Sequence, residues 1–350
     1  MPAPIKLNEF DQNIVNLDDK AILITGGTGS FGRQFTYTII NRNMPRRLVI
    51  YSRDELKQYE FQAELRSNLP PEKFARVRFF IGDVRDGPRL RMAMRGIDYV
   101  VHAAALKHVP IAEYNPMECI KTNLMGAENV IEAALSENVH RVIALSTDKA
   151  CNPVNLYGAT KLASDKCFVA ANNLVGSGKT RFSVVRYGNV TGSRGSVIPF
   201  FRALVAKGES LPITDERMTR FWITLQQGVN FVMSNFSLMQ GGEIFVPKIP
   251  SMRIGDLAAV VGPGLPTKIV GIRPGEKLHE MMISEDDSTY TVDLGDRYAI
   301  EPAFAEYPRT SFAKLQKGKL VPDRFSYSSD KNETWLDEES MKAMLASASV

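Results

Sequence analysis

A doubly wound α/β fold, with a largely parallel sheet covered by helices on both faces, is predicted by this sequence from three observations. Short β-branched or aromatic runs recur along the chain, each followed by a stretch long enough for a helix, the pattern of βαβ units. The runs are nearly continuous in apolar character rather than alternating, as strands covered on both faces must be. A glycine cluster follows the first run directly, where such folds turn from strand into helix. The composition allows a full core, with 350 residues of which 44% are hydrophobic and 23% charged.

The strands are expected at residues 21–25 (AILIT), 47–51 (RLVIY), 77–81 (VRFFI), 99–102 (YVVH), 142–146 (VIALS) and 182–186 (FSVVR), with 243–246 (EIFV) a further one. Residues 1–186 are read as a Rossmann-type dinucleotide-binding domain, with returns near 223–248. From about Tyr187 the pattern loosens and Gly, Pro and Arg become prominent, so 187–222 and 249–300 are read as a smaller substrate-binding lobe. Returns to the sheet are expected near Phe231 and Phe245. Residues 301–350 form a C-terminal extension with a helix at 337–345 that Asp337 can cap. Met218, Met233, Met281 and Met282 read as core filler.

Several classes are excluded at this level. No apolar run is long enough to span a bilayer. The opening MPAPIKLNEFDQNIVNLDDK resembles neither a secretory signal nor a transit peptide, so a cytoplasmic location is expected. Cys119, Cys151 and Cys167 are odd in number and lack ligand spacing, which suits buried free thiols. His102, His108, His140 and His279 are dispersed, and no metal site is expected. A net charge of +4 is modest, and no basic, aromatic-interleaved tract suggests nucleic acid.

The cluster Thr25-Gly26-Gly27-Thr28-Gly29-Ser30-Phe31-Gly32 stands between a strand and a helix. Glycines there permit a tight turn and let a pyrophosphate approach the helix N-terminus, which makes Gly26, Thr28, Gly29, Ser30, Phe31 and Gly32 candidate cofactor contacts. At the tip of the second strand come Ser52, Arg53 and Asp54, with Lys57 one turn later. A carboxylate at this tip suits the ribose of NAD, while arginine suits the 2′-phosphate of NADP. NADP is favoured, with Asp54 keeping NAD open. Asp83 and Val84 follow the third strand, where the adenine is commonly edged. Ala103 and the two alanines after it follow the fourth, where small side chains let backbone lie against the cofactor.

After the fifth strand the chain reads Ser146-Thr147-Asp148-Lys149-Ala150 and then Tyr157-Gly158-Ala159-Thr160-Lys161. Tyr157 and Lys161 share a helical face. An ammonium beside the phenol lowers its pKa and makes it a feasible base. Asp148-Lys149 taken alone is a solvated charge pair on a turn. Arg186, Arg194, Arg217, Arg220 and the run Arg273-Pro274-Gly275-Glu276 offer guanidinium forks for a diphosphate.

With the segments ILITGGTGSFG, VIYSRDELKQ, HAAALKHVPIAEYNP, ALSTDKA, NPVNLYGATK, SVVRYGNVTGSRGSVIPFF, RMTRFWIT and GIRPGEKLHE, the chain resembles an extended short-chain dehydrogenase/reductase. In particular it resembles the inverting UDP-N-acetylglucosamine 4,6-dehydratases that open the pseudaminic acid pathway, from about Lys20 to Leu336. The resemblance implies Lys149 at the reacting carbon, Asp148 as its acid partner beside Thr147, and Tyr157 with Lys161 as the hydride machinery. It implies that Lys107, Asn189, Thr214, Arg273 and Glu276 contact the sugar nucleotide, and that Lys107 and Val190 also border the cofactor. Bound NADP, UDP-N-acetylglucosamine as substrate and a homo-oligomer (dimer or hexamer) follow from the same likeness.

The rivals differ at named positions. A 4-epimerase needs only the hydride shuttle and lacks an acid/base pair at 148–149. Retaining dehydratases carry Asp-Glu there, and membrane-bound relatives commonly replace the tyrosine by methionine. A non-catalytic NADP-binding regulator is expected to have lost Tyr157, Lys161 or Asp148. For Lys149 to act as a base it must be neutral part of the time. Burial and Lys161 are expected to push its pKa down, and Asp148 to push it up.

Overall fold

The apolar runs assemble into one ten-stranded sheet in the computed structural model, which describes residues 7–193 and 195–347. Its strands are β1 (Ala21–Thr25), β2 (Arg47–Ser52), β3 (Val77–Ile81), β4 (Tyr99–His102), β5 (Arg141–Thr147), β6 (Arg181–Tyr187) and β7 (Ile244–Pro247), then β8 (Thr291–Asp293), β9 (Arg297–Ile300) and β10 (Lys319–Leu320). They lie in the order β10-β8-β9-β7-β6-β5-β4-β1-β2-β3. Neighbours from β3 through β7 are parallel, while β9, β8 and β10 extend the β7 edge antiparallel. The order of winding reverses between β1 and β4, so a crevice opens at the carboxyl ends of these strands.

Three strands run to the expected residue at both ends, and β2, β5 and β6 run slightly further. Pairing carries them on: Ser52 faces Ile81, and Thr147 faces Tyr187. Phe245 returns to the sheet within β7, but Phe231 does not return as a strand. It lies in the helix Leu225–Leu238, which Thr224 and Gln227 start with a reciprocal capping box. Phe231, Val232 and Phe236 of that helix are fully buried in the main core.

A second, smaller core lies beyond β6. A three-stranded sheet joins Asn189–Val190, Thr219–Ile223 and Ser251–Arg253, and Leu211–Ile213 pairs with Thr267–Ile269. Phe201, Met218, Trp222 and Leu257 fill this core together with Leu336, Met341 and Leu345. The C-terminal helix Glu338–Ser347 therefore has a packing role, each buried side chain contributing about 1.5–3 kcal/mol. Asp337 caps it by accepting from the Ser340 amide at 2.8 Å. Met233 and Met282 are buried in the main core, Met218 in the second, and Met281 is half-buried. Cys119 and Cys151 are buried, whereas Cys167 is partly exposed. No helix among the described residues is long and apolar enough to cross a membrane.

Candidate active site

A cleft of about 1100 Å³ opens at the carboxyl ends of β1, β2, β4, β5 and β6, with the smaller core on its other side. Its floor is backbone. Gly26 leaves β1 with φ at +66°, and a Cβ there would sit 2.9 Å from the Ala104 nitrogen, so only glycine fits. The Thr25 hydroxyl accepts from the amides of Ala103 (3.1 Å) and Ala104 (3.2 Å) and pairs with His102 Nδ1 at 2.9 Å. Burial, then the Lys161 charge, brings the His102 pKa down to about 3, so this ring is a neutral structural partner. The helix Ser30–Arg42 begins at the same floor, and no side chain caps it. Gly26, Thr28, Gly29, Ser30, Phe31 and Gly32 all border the cleft. A bare strand-to-helix turn with an uncapped helix end is shaped for a pyrophosphate, so the residues present fit a dinucleotide.

At the β2 tip, Ser52, Arg53, Asp54 and Lys57 border the cleft, as do Asp83 and Val84 after β3 and Ala103 after β4. Asp54 is already committed. It caps the helix Glu55–Asn68 by accepting from the Lys57 amide at 3.0 Å and pairs with Lys57 Nζ at 2.6 Å. The Arg53 guanidinium is 57% exposed and lies 3.7 Å from Asp83. The Ser52 hydroxyl accepts from Gln58 at 3.1 Å and keeps its own proton to donate.

The chemistry-bearing side chains converge where β5 ends. Thr147 closes the strand, and Asp148–Ala150 form one 3-10 turn. Asn155 then starts the helix Leu156–Ala170 by accepting from the Gly158 amide at 2.8 Å, and it donates to the Gly275 carbonyl at 2.8 Å. A Cβ on Gly158 would collide with the Lys149 carbonyl oxygen. Its absence lets the Tyr157 helix press directly on the turn that carries Lys149. Thr147, Lys149, Tyr157 and Lys161 all border the cleft. Lys161 is 2% exposed, and its nitrogen makes no hydrogen bond or ion pair among the described residues.

Asp148 is 1% exposed and is not brought to the cleft wall. One oxygen accepts from Thr147 (2.9 Å) and Lys149 Nζ (3.1 Å), and the other is buried without a partner. On its other side, Lys149 Nζ lies 3.2 Å from Glu280, itself 2% exposed but bordering the cleft. Burial favours neutral Lys149, yet Asp148 and Glu280 together outweigh it and hold the ammonium well above the ordinary lysine range. The expected downward push is therefore overridden by Asp148 together with Glu280, a carboxylate from far along the chain, and the opposing cation is Arg220 rather than Lys161. Burial pushes Asp148 up, while Glu280 ends below its usual range because Lys149 and Arg220 oppose its burial. Tyr157 is pushed up to about 12 by burial, with Lys149 and the Thr147 hydroxyl pulling it down. The cation acting on the phenol is thus Lys149, not the expected Lys161.

Lys107, Asn189, Val190, Thr214, Arg273 and Glu276 also border the cleft. Burial, then the Lys149 charge, lowers the Lys107 pKa. One Glu276 carboxylate oxygen is buried without a partner. Of the other arginines read as diphosphate forks, Arg186 is 2% exposed and bonds Asp165 and the Met282 carbonyl inside the core. Arg217 points to solvent against Asp215. Arg220 borders the cleft, but it donates to the carbonyls of Thr219, Leu278 and Lys277. Arg194 lies outside the described residues.

Three residues at the site escaped the sequence reading. Glu280 closes the GIRPGEKLHE segment and carries a signal only through its contact with Lys149. Asn155 stands one residue before the Tyr157 helix, a capping position that could have been read. Asn123 holds the Lys107 loop by bonding the amide (2.8 Å) and carbonyl (2.9 Å) of Leu106 from a π-helical turn, a feature frequent at functional sites.

The sequence profile of the polysaccharide biosynthesis protein family matches residues 22–302. An inverting UDP-N-acetylglucosamine 4,6-dehydratase of Campylobacter jejuni (strain 81-176) is 59% identical over 327 residues, covering 92% of this chain and 96% of its own. A UDP-glucose 4-epimerase of Rickettsia canadensis is 43% identical, covering 81% and 83%. Among solved structures, Pen from Bacillus thuringiensis superposes with a TM-score of 0.85 at 34% identity, covering 96% of this chain and 99% of that one.

Proposed function

The chain belongs to the polysaccharide biosynthesis protein family, of extended short-chain dehydrogenase/reductase type, and we propose that it is an inverting UDP-N-acetylglucosamine 4,6-dehydratase using tightly bound NADP. The observation that carries this reading is the Thr147-Asp148-Lys149 turn pressed against the Tyr157 helix, with Thr147, Lys149 and Tyr157 bordering the cleft. A 4-epimerase has no use for an acid/base pair there. The identity to the Campylobacter dehydratase, higher than to the Rickettsia epimerase, supports the same choice.

Held in the glycine-lined cradle by Gly26 and residues 28–32, NADP would supply reversible hydride acceptance for C4 and C6. The protein's own groups handle the protons. Tyr157 first releases its phenolic proton to solvent, an ionisation that Lys149 and the Thr147 hydroxyl favour. The tyrosinate takes the proton of the 4-hydroxyl, while Lys161, whose nitrogen has no partner among the described residues, would steady the ribose side of the cofactor. The new ketone acidifies C5. Lys149 starts as an ammonium, so it first passes a proton across 3.1 Å to Asp148, giving a neutral amine and a carboxylic acid. The amine removes the C5 proton. Asp148 sits behind the wall and returns its proton through the Thr147 hydroxyl, which borders the cleft at 2.9 Å from it, to the departing 6-hydroxyl. Water leaves, and Asp148 and Lys149 are again an ion pair. C5 is then reprotonated from the opposite face, which balances the proton that Tyr157 took. The product is UDP-2-acetamido-2,6-dideoxy-β-L-arabino-hex-4-ulose, and Lys107, Asn189, Thr214, Arg273 and Glu276 hold the sugar nucleotide. Exposed Ile111, Tyr114, Met117 and Met125 support a homo-oligomer, dimer or hexamer. A cytoplasmic location suits a nucleotide-sugar substrate.

Purified protein incubated with UDP-N-acetylglucosamine and no added cofactor is expected to yield a species lighter by one water. Formation of UDP-N-acetylgalactosamine at unchanged mass would instead make it an epimerase. NADP is preferred because Asp54 is spent on its own helix while Ser52 and Arg53 remain at the β2 tip. Denatured protein should release a 2′-phosphorylated dinucleotide, and recovery of NAD alone would refute this. Arg53→Asp should move the preference towards NAD by removing a phosphate partner and adding repulsion.

A further inference from the structure

We infer that Glu280 is a positioning residue of the proton chemistry: it holds the Lys149 nitrogen at the cleft from the side opposite Asp148 and, by staying ionised, leaves Asp148 as the carboxylate that takes the Lys149 proton. The inference rests on the dehydratase reading above and adds a residue to it.

The geometry is that of a built site. Lys149 Nζ has carboxylate oxygens at 3.1 Å (Asp148) and 3.2 Å (Glu280). Asp148 is its sequence neighbour and moves with it, whereas Glu280 comes from an independently anchored segment. The Glu280 amide donates to Ser329 Oγ at 2.9 Å, and the Ser329 amide donates to the Glu280 carbonyl at 2.8 Å. The backbone of Glu280 is thus clamped from both sides. Its carboxyl gives the Lys149 nitrogen a fixed reference point that does not travel with the 3-10 turn.

The charges facing Lys149 differ by element. Asp148 lies on its own turn, Tyr157 on the following helix, Lys107 on the loop after β4, Arg220 on the strand Thr219–Ile223, and Lys277 with Glu280 on the segment before Met281. Arg220 is locked by the carbonyls of Thr219, Leu278 and Lys277, with Nε 3.7 Å from Glu280. Among the described residues Asp148 is ion-paired with Lys149 alone. When Lys149 gives up its proton, Glu280 keeps a cation and Asp148 loses its only one. The proton therefore goes to Asp148: a Lys149 N–H bond breaks, an Asp148 O–H bond forms, and an ion pair becomes a neutral pair. With two equivalent carboxylates the proton would be shared, and half of it would be out of reach of Thr147.

The test reads the Lys149 amine directly. Purified full-length protein is acetylated with acetic anhydride across a pH series, and modification of Lys149 is followed by peptide mass spectrometry. In the wild type Lys149 should react only at higher pH than the exposed Lys342. Glu280→Gln keeps the size of the side chain but removes its charge, so the Lys149 midpoint should fall by about 1–3 pH units. Glu280→Asp should recover much of that shift. In parallel, kcat for water loss in Glu280→Gln should fall roughly 10- to 100-fold, with its alkaline-rising limb displaced to lower pH. A fall in kcat with an unmoved labelling midpoint would mean a merely structural role and overturn the inference. A wild-type Lys149 that reacts like Lys342 would overturn it as well, without need of any variant. If the wild type removes no water at all, the dehydratase reading fails, and the labelling result still judges Glu280 separately.

Discussion

Lys149→Met is expected to cut water loss from UDP-N-acetylglucosamine by roughly 10²–10⁴-fold, the range for removing a general base. Oxidation at C4 does not need this amine, so a slow 4-keto species should still form in the variant. The substitution has a second consequence, for stability. It leaves Asp148 and Glu280, 1% and 2% exposed, without the ammonium between them. Breaking a buried pair in this way costs about 3–5 kcal/mol. Glu280 keeps Arg220 at 3.7 Å, but Asp148 is left unpaired and buried, so its folded-state pKa lies above its unfolded one near 4. The folded variant then binds more protons than its unfolded chain, so its stability is fullest below about pH 4 and falls as pH rises through the raised folded value. The deficit in melting temperature against the wild type should accordingly be larger at neutral pH than in mild acid. Lys149→Arg separates the two effects, since a guanidinium keeps the charge but gives up no proton. It should recover stability and remain inactive. Near-wild-type turnover in Lys149→Arg would remove the amine from the mechanism.

Tyr157→Phe is expected to fail earlier in the cycle. The phenol is the group placed to take the 4-hydroxyl proton, and its loss should lower turnover by roughly 10²–10⁴-fold. No 4-keto species should accumulate, which distinguishes this variant from Lys149→Met. Its stability should change little. The Tyr157 pKa is pushed up to about 12, so the resting phenol is neutral, and phenylalanine fills nearly the same volume. A 4-keto product from Tyr157→Phe at wild-type rate would assign the proton transfer to another group.

What the sequence disclosed and what it hid divide along locality. β1, β2 and β4 to β6 were legible because strands covered on both faces must be largely apolar, as β1 is, with all five residues buried. β3, at the sheet edge and only partly buried, was legible from its β-branched and aromatic residues. The cradle was legible because Gly26 to Gly32 form the turn and the helix start within one short stretch. The Phe231 segment was misread because a buried helix and a buried strand are equally apolar over a few residues. The cap at Asp337 was readable, but the purpose of its helix was not, since Met341 and Leu345 pack on Leu257 from a distant segment. The charge state of Lys149 failed for the same reason. Asp148 is adjacent in sequence and was weighed, whereas Glu280 and Arg220 reach the site only through folding. Arg186 shows the opposite error, a side chain suited to a diphosphate that the fold spends on Asp165.

The central claim, water removal with inversion at C5, is tested most directly by the proton NMR spectrum of the product formed in deuterated water. One solvent deuteron at C5, with ring couplings of the L-arabino configuration and no net change in nicotinamide absorbance, is the predicted result. A deuterated product that keeps the D-xylo configuration would contradict the inversion, and a product that has lost no water would contradict the dehydratase itself.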